Sequence, residues 1–111
     1  MSNNIDSFKL RAMVVDDDMS RHLMVHFLKN RGFYVFDTSR YEVAIRGFIS
    51  LKPALIFLGQ NLEGLSGLET AYFIRRLTGG MYANIYLHVE KLASDLKSDP
   101  NYQHINGYFM K

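Results

Sequence analysis

Short apolar runs alternate with segments of helical periodicity along the chain. Each run is rich in β-branched or aromatic residues, which predicts a strand. The runs are residues 12–15, 33–36, 54–58, 85–89 and 108–110. Near-continuous apolarity is typical of strands buried on both faces of a parallel sheet. Five such strands separated by four helical segments predict an α/β fold, a doubly wound parallel sheet with right-handed crossovers.

Serine–glutamate pairs mark the expected starts of two of the helices. Ser39 with Glu42, and Ser66 with Glu69, match the capping box, in which each side chain bonds the other residue's backbone N–H. Gly32 follows the first helical segment and is expected to end that helix, since glycine is favoured just beyond a helix C-terminus.

Composition and charge narrow the class of protein. The chain has 111 residues, 48% of them hydrophobic and 22% charged, which suits one globular domain. Residues 1–9 are mostly polar and are expected to be a lead-in to a domain spanning 10–111. The absence of cysteine and of a long apolar run predicts a cytoplasmic protein that does not enter a membrane. A net charge of +2 with scattered basic residues does not favour nucleic-acid binding.

Residues with candidate chemistry follow several of the predicted strands. The carboxyl ends of parallel strands share one edge of a sheet, and ligands of such sheets bind there. The residues expected at that edge are Asp16, Asp17 and Asp18 after the first strand, Gly59 after the third, His88 near the end of the fourth and Lys111 after the fifth. The sequence therefore predicts one pocket to which four strand ends contribute.

The three adjacent carboxylates need a partner, because like charges in contact repel. Lys111 is the expected counterion for Asp16 or Asp17, and His88 is a second candidate. The alternative is that Asp18 caps the first helix while Asp16 and Asp17 lie in water.

With these residues at the ends of its predicted strands, the chain resembles the receiver domain of two-component response regulators from about Arg11 to Lys111. The resemblance implies a CheY-like, flavodoxin-like sheet of strand order 2-1-3-4-5. It also implies that Asp16 and Asp17 are the acidic pair that helps hold magnesium, with the Asn61 carbonyl as a further ligand. By the same resemblance Tyr108 is the switch aromatic and Lys111 is the lysine of the phosphorylation pocket.

Two positions depart from the family pattern. Gly59 stands where the family has the phosphoacceptor aspartate, and His88 stands where it has a serine or threonine. The departures predict a degenerate receiver (a pseudo-receiver) in phosphorelay signal transduction, without an acyl phosphate and with at most a weak or vestigial Mg²⁺ site at Asp16, Asp17 and Asn61. A rescue in which Glu63 or Asp18 accepts the phosphoryl group is the alternative for that site.

The expected output of such a domain is contact with another protein. The sequence stops at Lys111, where the family continues into a fifth helix, so that helix is expected to be absent from this chain. The apolar sheet surface left uncovered predicts a homodimer, or docking to a partner protein or to an effector domain of the same protein. Asp99-Pro100 is expected to end or shorten the fourth helix near Ser98.

An enzyme is the competing class. A strand ending in Asp16-Asp17-Asp18 resembles the start of haloacid-dehalogenase-type phosphatases, with Asp16 as the nucleophile. Met19-Ser20 fits that motif poorly, and the chain is too short for the cap that these enzymes need. We therefore expect a protein that is not an enzyme.

Overall fold

A five-stranded, all-parallel sheet organises the protein. The computed structural model describes residues 10–90 and 95–110. The strands are β1 (Arg11–Val15), β2 (Tyr34–Thr38), β3 (Leu55–Gly59), β4 (Asn84–Val89) and β5 (Gly107–Met110). Their order across the sheet is β2-β1-β3-β4-β5. The predicted doubly wound α/β fold and its strand order are confirmed.

Three α-helices connect the first four strands. They are α1 (Asp18–Lys29), α2 (Tyr41–Leu51) and α3 (Gly67–Arg75). The larger core cluster joins α2 and α3 to one face of the sheet, around Phe48, Ile56 and Ile74. A smaller cluster joins α1 to the opposite face, around Val14 and Leu28. Within the described ranges no helix is long and apolar enough to span a membrane.

The ends of the helices correct part of the expected capping. Ser66 and Glu69 form the predicted capping box at the start of α3. The capping box predicted at Ser39 is wrong, because α2 begins one residue later than that box requires. Its N-cap is Arg40, whose side chain makes no capping hydrogen bond. Both serine–glutamate pairs have the spacing of a capping box, but only Ser66 is the N-cap of its helix.

The connection from β4 to β5 differs most from the prediction. Its residues 95–106 contain two 3-10 helices, Leu96–Ser98 and Pro100–His104, where a fourth α-helix was expected. Pro100 begins the second of these instead of ending a helix, and Asp99 accepts a hydrogen bond from the Asn101 N–H. Part of the predicted fourth helix falls on residues 91–94, which lie outside the described residues.

Candidate functional site

The carboxyl ends of β1, β3 and β4 bring three of the predicted site residues together. Asp16 directly follows β1, Gly59 is the last residue of β3, and His88 is one residue from the end of β4. Gly59 and His88 are register partners in the sheet. The parallel register alone therefore sets these three residues side by side, as the strand pattern predicted.

The side chain of Asp16 occupies the space that a side chain at position 59 would need. A Cβ built on Gly59 would lie 2.7 Å from the carboxyl carbon of Asp16 and would overlap one of its oxygens. Real Cβ atoms do not approach other atoms so closely, so any side chain at position 59 would require the Asp16 carboxylate to move. The gap left by the absent side chain is filled from the neighbouring strand.

Asp16 is held in this position by two hydrogen bonds. Its Oδ2 lies 2.7 Å from Nδ1 of His88, and its Oδ1 accepts the Asp17 backbone N–H at 2.8 Å. The side chain of Asp16 is 9% exposed and that of His88 is 12% exposed, so water has little access to the contact between them. Both carboxylate oxygens of Asp16 therefore have partners within the protein.

The imidazole of His88 is fixed by aromatic packing as well. Its ring stacks on Phe109 of β5, with ring centroids 4.6 Å apart and an angle of 11° between the planes. Phe109 in turn meets Phe57 of β3 edge to face at 5.6 Å. His88 thus connects the carboxylate of Asp16 to an aromatic row on the α1 side of the sheet.

The other two carboxylates of the acidic run have separate structural uses. Asp17, not Asp18, is the N-cap of α1, and its Oδ1 accepts the Ser20 N–H at 2.9 Å. Asp18 lies in the first turn and pairs with Arg21 at 3.1 Å. Nε of Arg21 also lies 2.9 Å from a carboxylate oxygen of Asp37, one residue before the end of β2. The cap predicted at Asp18 is corrected by one residue, because α1 begins at Asp18 itself and its N-cap is therefore Asp17.

Asn61 and Glu63 lie beyond β3, in the loop that leads to α3. Both are exposed. Asn61 forms an isolated bridge with Ser66, and Glu63 forms one with Arg40. Both residues, together with Asp17 and Asp18, border an open cavity of about 360 Å³ outside the sheet edge.

The donor set at this edge does not fit a magnesium ion. Mg²⁺ needs near-octahedral oxygen coordination and is usually held by carboxylates with free oxygen atoms together with phosphate. The oxygens of Asp16 are committed to His88 and Asp17, one oxygen of Asp17 caps α1, and Gly59 offers no carboxylate. Within residues 10–90 and 95–110, no group of three or more His, Asp or Glu side chains is arranged to hold a metal ion.

Two further predicted residues lie near the end of β5. Tyr108 is half-buried and packs against the larger core cluster, on the face of the sheet opposite to Phe109. Lys111, the expected counterion of the acidic pair, lies outside the described residues.

Sequence reasoning missed Phe109 and Arg21. Side chains alternate between the faces of a strand, so Phe109 could have been placed on the same face as His88 from the register of β4 and β5. Arg21 lies one turn after Asp17 and Asp18, and that spacing is a recognisable signal for a helical ion pair.

Solved structures with this fold include several close matches. The chain matches the chemotaxis protein CheY4 of Vibrio cholerae with a TM-score of 0.85 and 18% identity, over 93% of this chain and 87% of that one. It matches the response regulator TrrA of Thermotoga maritima, solved in complex with Mg²⁺-BeF, with a TM-score of 0.78 and 30% identity, over 92% and 86%. A CheY-like receiver domain of Methylobacillus flagellatus matches with a TM-score of 0.80 and 16% identity, over 93% and 86%.

Comparison by sequence alone finds no such relatives. No family model matches the chain, and no curated protein sequence matches it. The match to TrrA combines 30% identity with coverage of most of both chains.

Proposed function

The chain belongs to the receiver domains of response regulators, and we propose that it is a degenerate member that signals without a phosphoryl switch. The observation that carries the proposal is the Asp16 carboxylate lying in the space beside Gly59. Phosphoryl transfer to a receiver needs a carboxylate nucleophile at the end of β3, and glycine offers none. The space for one is also taken.

The partners of Asp16 support the same proposal. His88 replaces the hydroxyl residue that the family uses at this position, and it holds the carboxylate of Asp16 at 2.7 Å. A carboxylate held in this way would have to give up or share these contacts to recruit a metal ion for the phosphoryl group. We infer that the pocket is a closed structural contact, and that its magnesium site is vestigial.

The remaining carboxylates near the edge are poor substitutes as phosphoacceptors. Asp18 is on the solvent side of α1, in an ion pair with Arg21, and Glu63 is exposed in the loop after β3. Neither lies at a strand end, where the protein could surround a phosphoryl group with fixed donors. We propose that neither residue accepts a phosphoryl group.

We propose that the output of the domain is protein–protein contact within two-component signalling. A partner protein, an effector domain or a second copy of the chain would then recognise a fixed surface. The phosphatase alternative has no observation in its favour, because the Asp16 it would use as nucleophile is buried and bonded to His88.

Intact-mass spectrometry after incubation with acetyl phosphate and Mg²⁺ tests this proposal. We expect no added phosphoryl mass under conditions that label a receiver with an intact phosphoacceptor, run in parallel. A stable added phosphoryl mass would overturn the proposal. The variants Asp16→Asn, Asp18→Asn and Glu63→Gln would then identify the acceptor, because labelling disappears only in the variant that lacks it.

A further inference from the structure

Three large apolar side chains form an exposed stripe along α1. Met19, Leu23 and Phe27 are 77%, 69% and 48% exposed. Residues four apart lie on the same face of a helix, so the three form one continuous row, here called the α1 stripe. Single exposed apolar residues are ordinary on a protein surface, but a row of three along one helix is not.

The α1 stripe borders an apolar cavity of about 570 Å³. Met24 lines the cavity from the same helix, and His88 closes it at the edge of the candidate site. Beyond His88 the same face of the sheet carries the half-buried aromatic rings of Phe57 and Phe109. In the described ranges α1 is the one α-helix packed on this face, whereas α2 and α3 share the other.

Charge is distributed unequally along the same helix. Asp17 caps its N-terminal end, beside Met19, and the basic residue His26 lies in its last turn. Arg31 follows the helix, and its guanidinium group lies 3.7 Å above the ring of Phe27. The α1 stripe therefore runs from an acidic end to a basic end.

We propose that the α1 stripe is a homodimer surface, on which α1 of a second copy packs antiparallel. Met19 and Phe27 stand four residues before and after Leu23, so a two-fold axis at Leu23 places Met19 of each copy against Phe27 of the other. The same axis brings the acidic end of each α1 beside the basic end of the other. A parallel arrangement would instead oppose like charges, which disfavours it.

The area of the surface is consistent with this partner. The exposed parts of the three side chains amount to on the order of 400 Å² for each copy, about half of one partner's share of a standard interface. The cavity beside the stripe and the aromatic rings beyond it supply further contact area for the second copy.

Sedimentation analysis from micromolar to submillimolar concentration tests the dimer. The wild-type protein is expected to dimerise, and Leu23→Glu is expected to weaken the dimer by on the order of a hundredfold, because it introduces two facing charges at the axis. Ile49→Glu is the matched control, since Ile49 is a similarly exposed residue on α2, across the sheet. The control is expected to dimerise like the wild type.

Charge reversal separates antiparallel α1 packing from other apolar contacts. Arg31→Glu is expected to weaken the dimer by roughly fivefold, because it places a second acid beside Asp17 of the other copy. Lys29→Glu makes the same change of charge, but Lys29 points about 120° away from the α1 stripe and should have little effect. Met19→Lys provides a second variant of the stripe, and circular dichroism checks that each variant is folded.

A monomeric wild type, a Leu23→Glu variant that still dimerises, or equal effects of the stripe variants and their controls would overturn the inference. The dimer inference rests on the proposed function, because it identifies the protein partner proposed there as a second copy of the chain. The proposed function and the dimer inference can be refuted independently. Intact-mass spectrometry tests phosphoryl transfer, and sedimentation tests association.

Discussion

Asp16 and His88 form a buried contact that joins the first and fourth strands across the glycine of the third. Their atoms Oδ2 and Nδ1 are 2.7 Å apart. The contact is a fixed structural link between the ends of these two strands. Its worth to the fold can be measured directly.

Replacing His88 tests the link. His88→Leu keeps an apolar side chain but leaves a buried oxygen of Asp16 without its donor, and the free energy of unfolding is expected to fall by about 1–3 kcal/mol. His88→Asn keeps a donor near the position of Nδ1 and is expected to lose less. Urea unfolding measures the loss of stability in each variant. Equal losses would show that the hydrogen bond between His88 and Asp16 contributes little to stability.

Gly59→Ala tests the packing of the Asp16 carboxylate. The added methyl group overlaps that carboxylate, so overpacking is expected to cost about 1–3 kcal/mol of stability. In the Asp16→Ala background the same substitution meets an empty space and is expected to cost much less. A double-mutant cycle by urea unfolding measures the coupling, and additive effects would argue against the overlap.

Arg75 joins the end of α3 to the segments before β4 and β5. Its guanidinium group donates to the carbonyl oxygens of Gly80, Ala83 and His104 at 2.6–2.8 Å and to Oδ1 of Asn106 at 2.8 Å. Burial lowers the pKa of Arg75, so its charge depends on these acceptors for compensation. We expect Arg75→Met to lower the unfolding free energy by about 2–4 kcal/mol, because several acceptors lose their donor.

The neighbouring Arg76 offers a control for Arg75. It is exposed, and its guanidinium group lies 5.5 Å from the centre of the Tyr72 ring. Arg76→Met is expected to change stability by no more than about 0.5 kcal/mol, as is usual for surface substitutions. Thermal unfolding of both variants checks the pair, and similar losses would show that the Arg75 contacts contribute little.

Two serines with the same sequence signal are expected to differ in their effect. Ser66→Ala removes the side-chain cap of α3, which typically costs about 1 kcal/mol. Ser39→Ala removes no capping hydrogen bond, because α2 starts after Arg40, and its effect is expected to be small. Chemical denaturation of both variants compares them, and a larger loss for Ser39→Ala would contradict the observed helix start.

The sheet was predictable because its strands are apolar on both faces. An apolar run can be recognised without knowing which strands pair with it. The order of the runs along the chain was enough to place Asp16, Gly59 and His88 at one edge of the sheet. The connection after β4 was less predictable. Its polar residues and Pro100 are compatible with several short conformations, and packing against α3 decides among them.

The contacts within the site could be predicted only in part. The sequence indicated that Asp16 needs a cation or a donor, with Lys111 as the first candidate and His88 as the second. The contact with His88 depends on side-chain reach across three strands, which the sequence does not specify. The sequence also gave no sign that Asp16 would fill the space beside Gly59. Asp16 can occupy this space because Gly59 has no Cβ and lies next to Asp16 at the edge of the sheet.

The carboxylate lodged beside Gly59 also limits which residues can replace that glycine. Gly59→Asp on its own would force two carboxylates into a space that holds one. A carboxylate at position 59 would therefore need a second change that moves Asp16 away from His88. With the first change alone, the protein is expected to be less stable than the wild type.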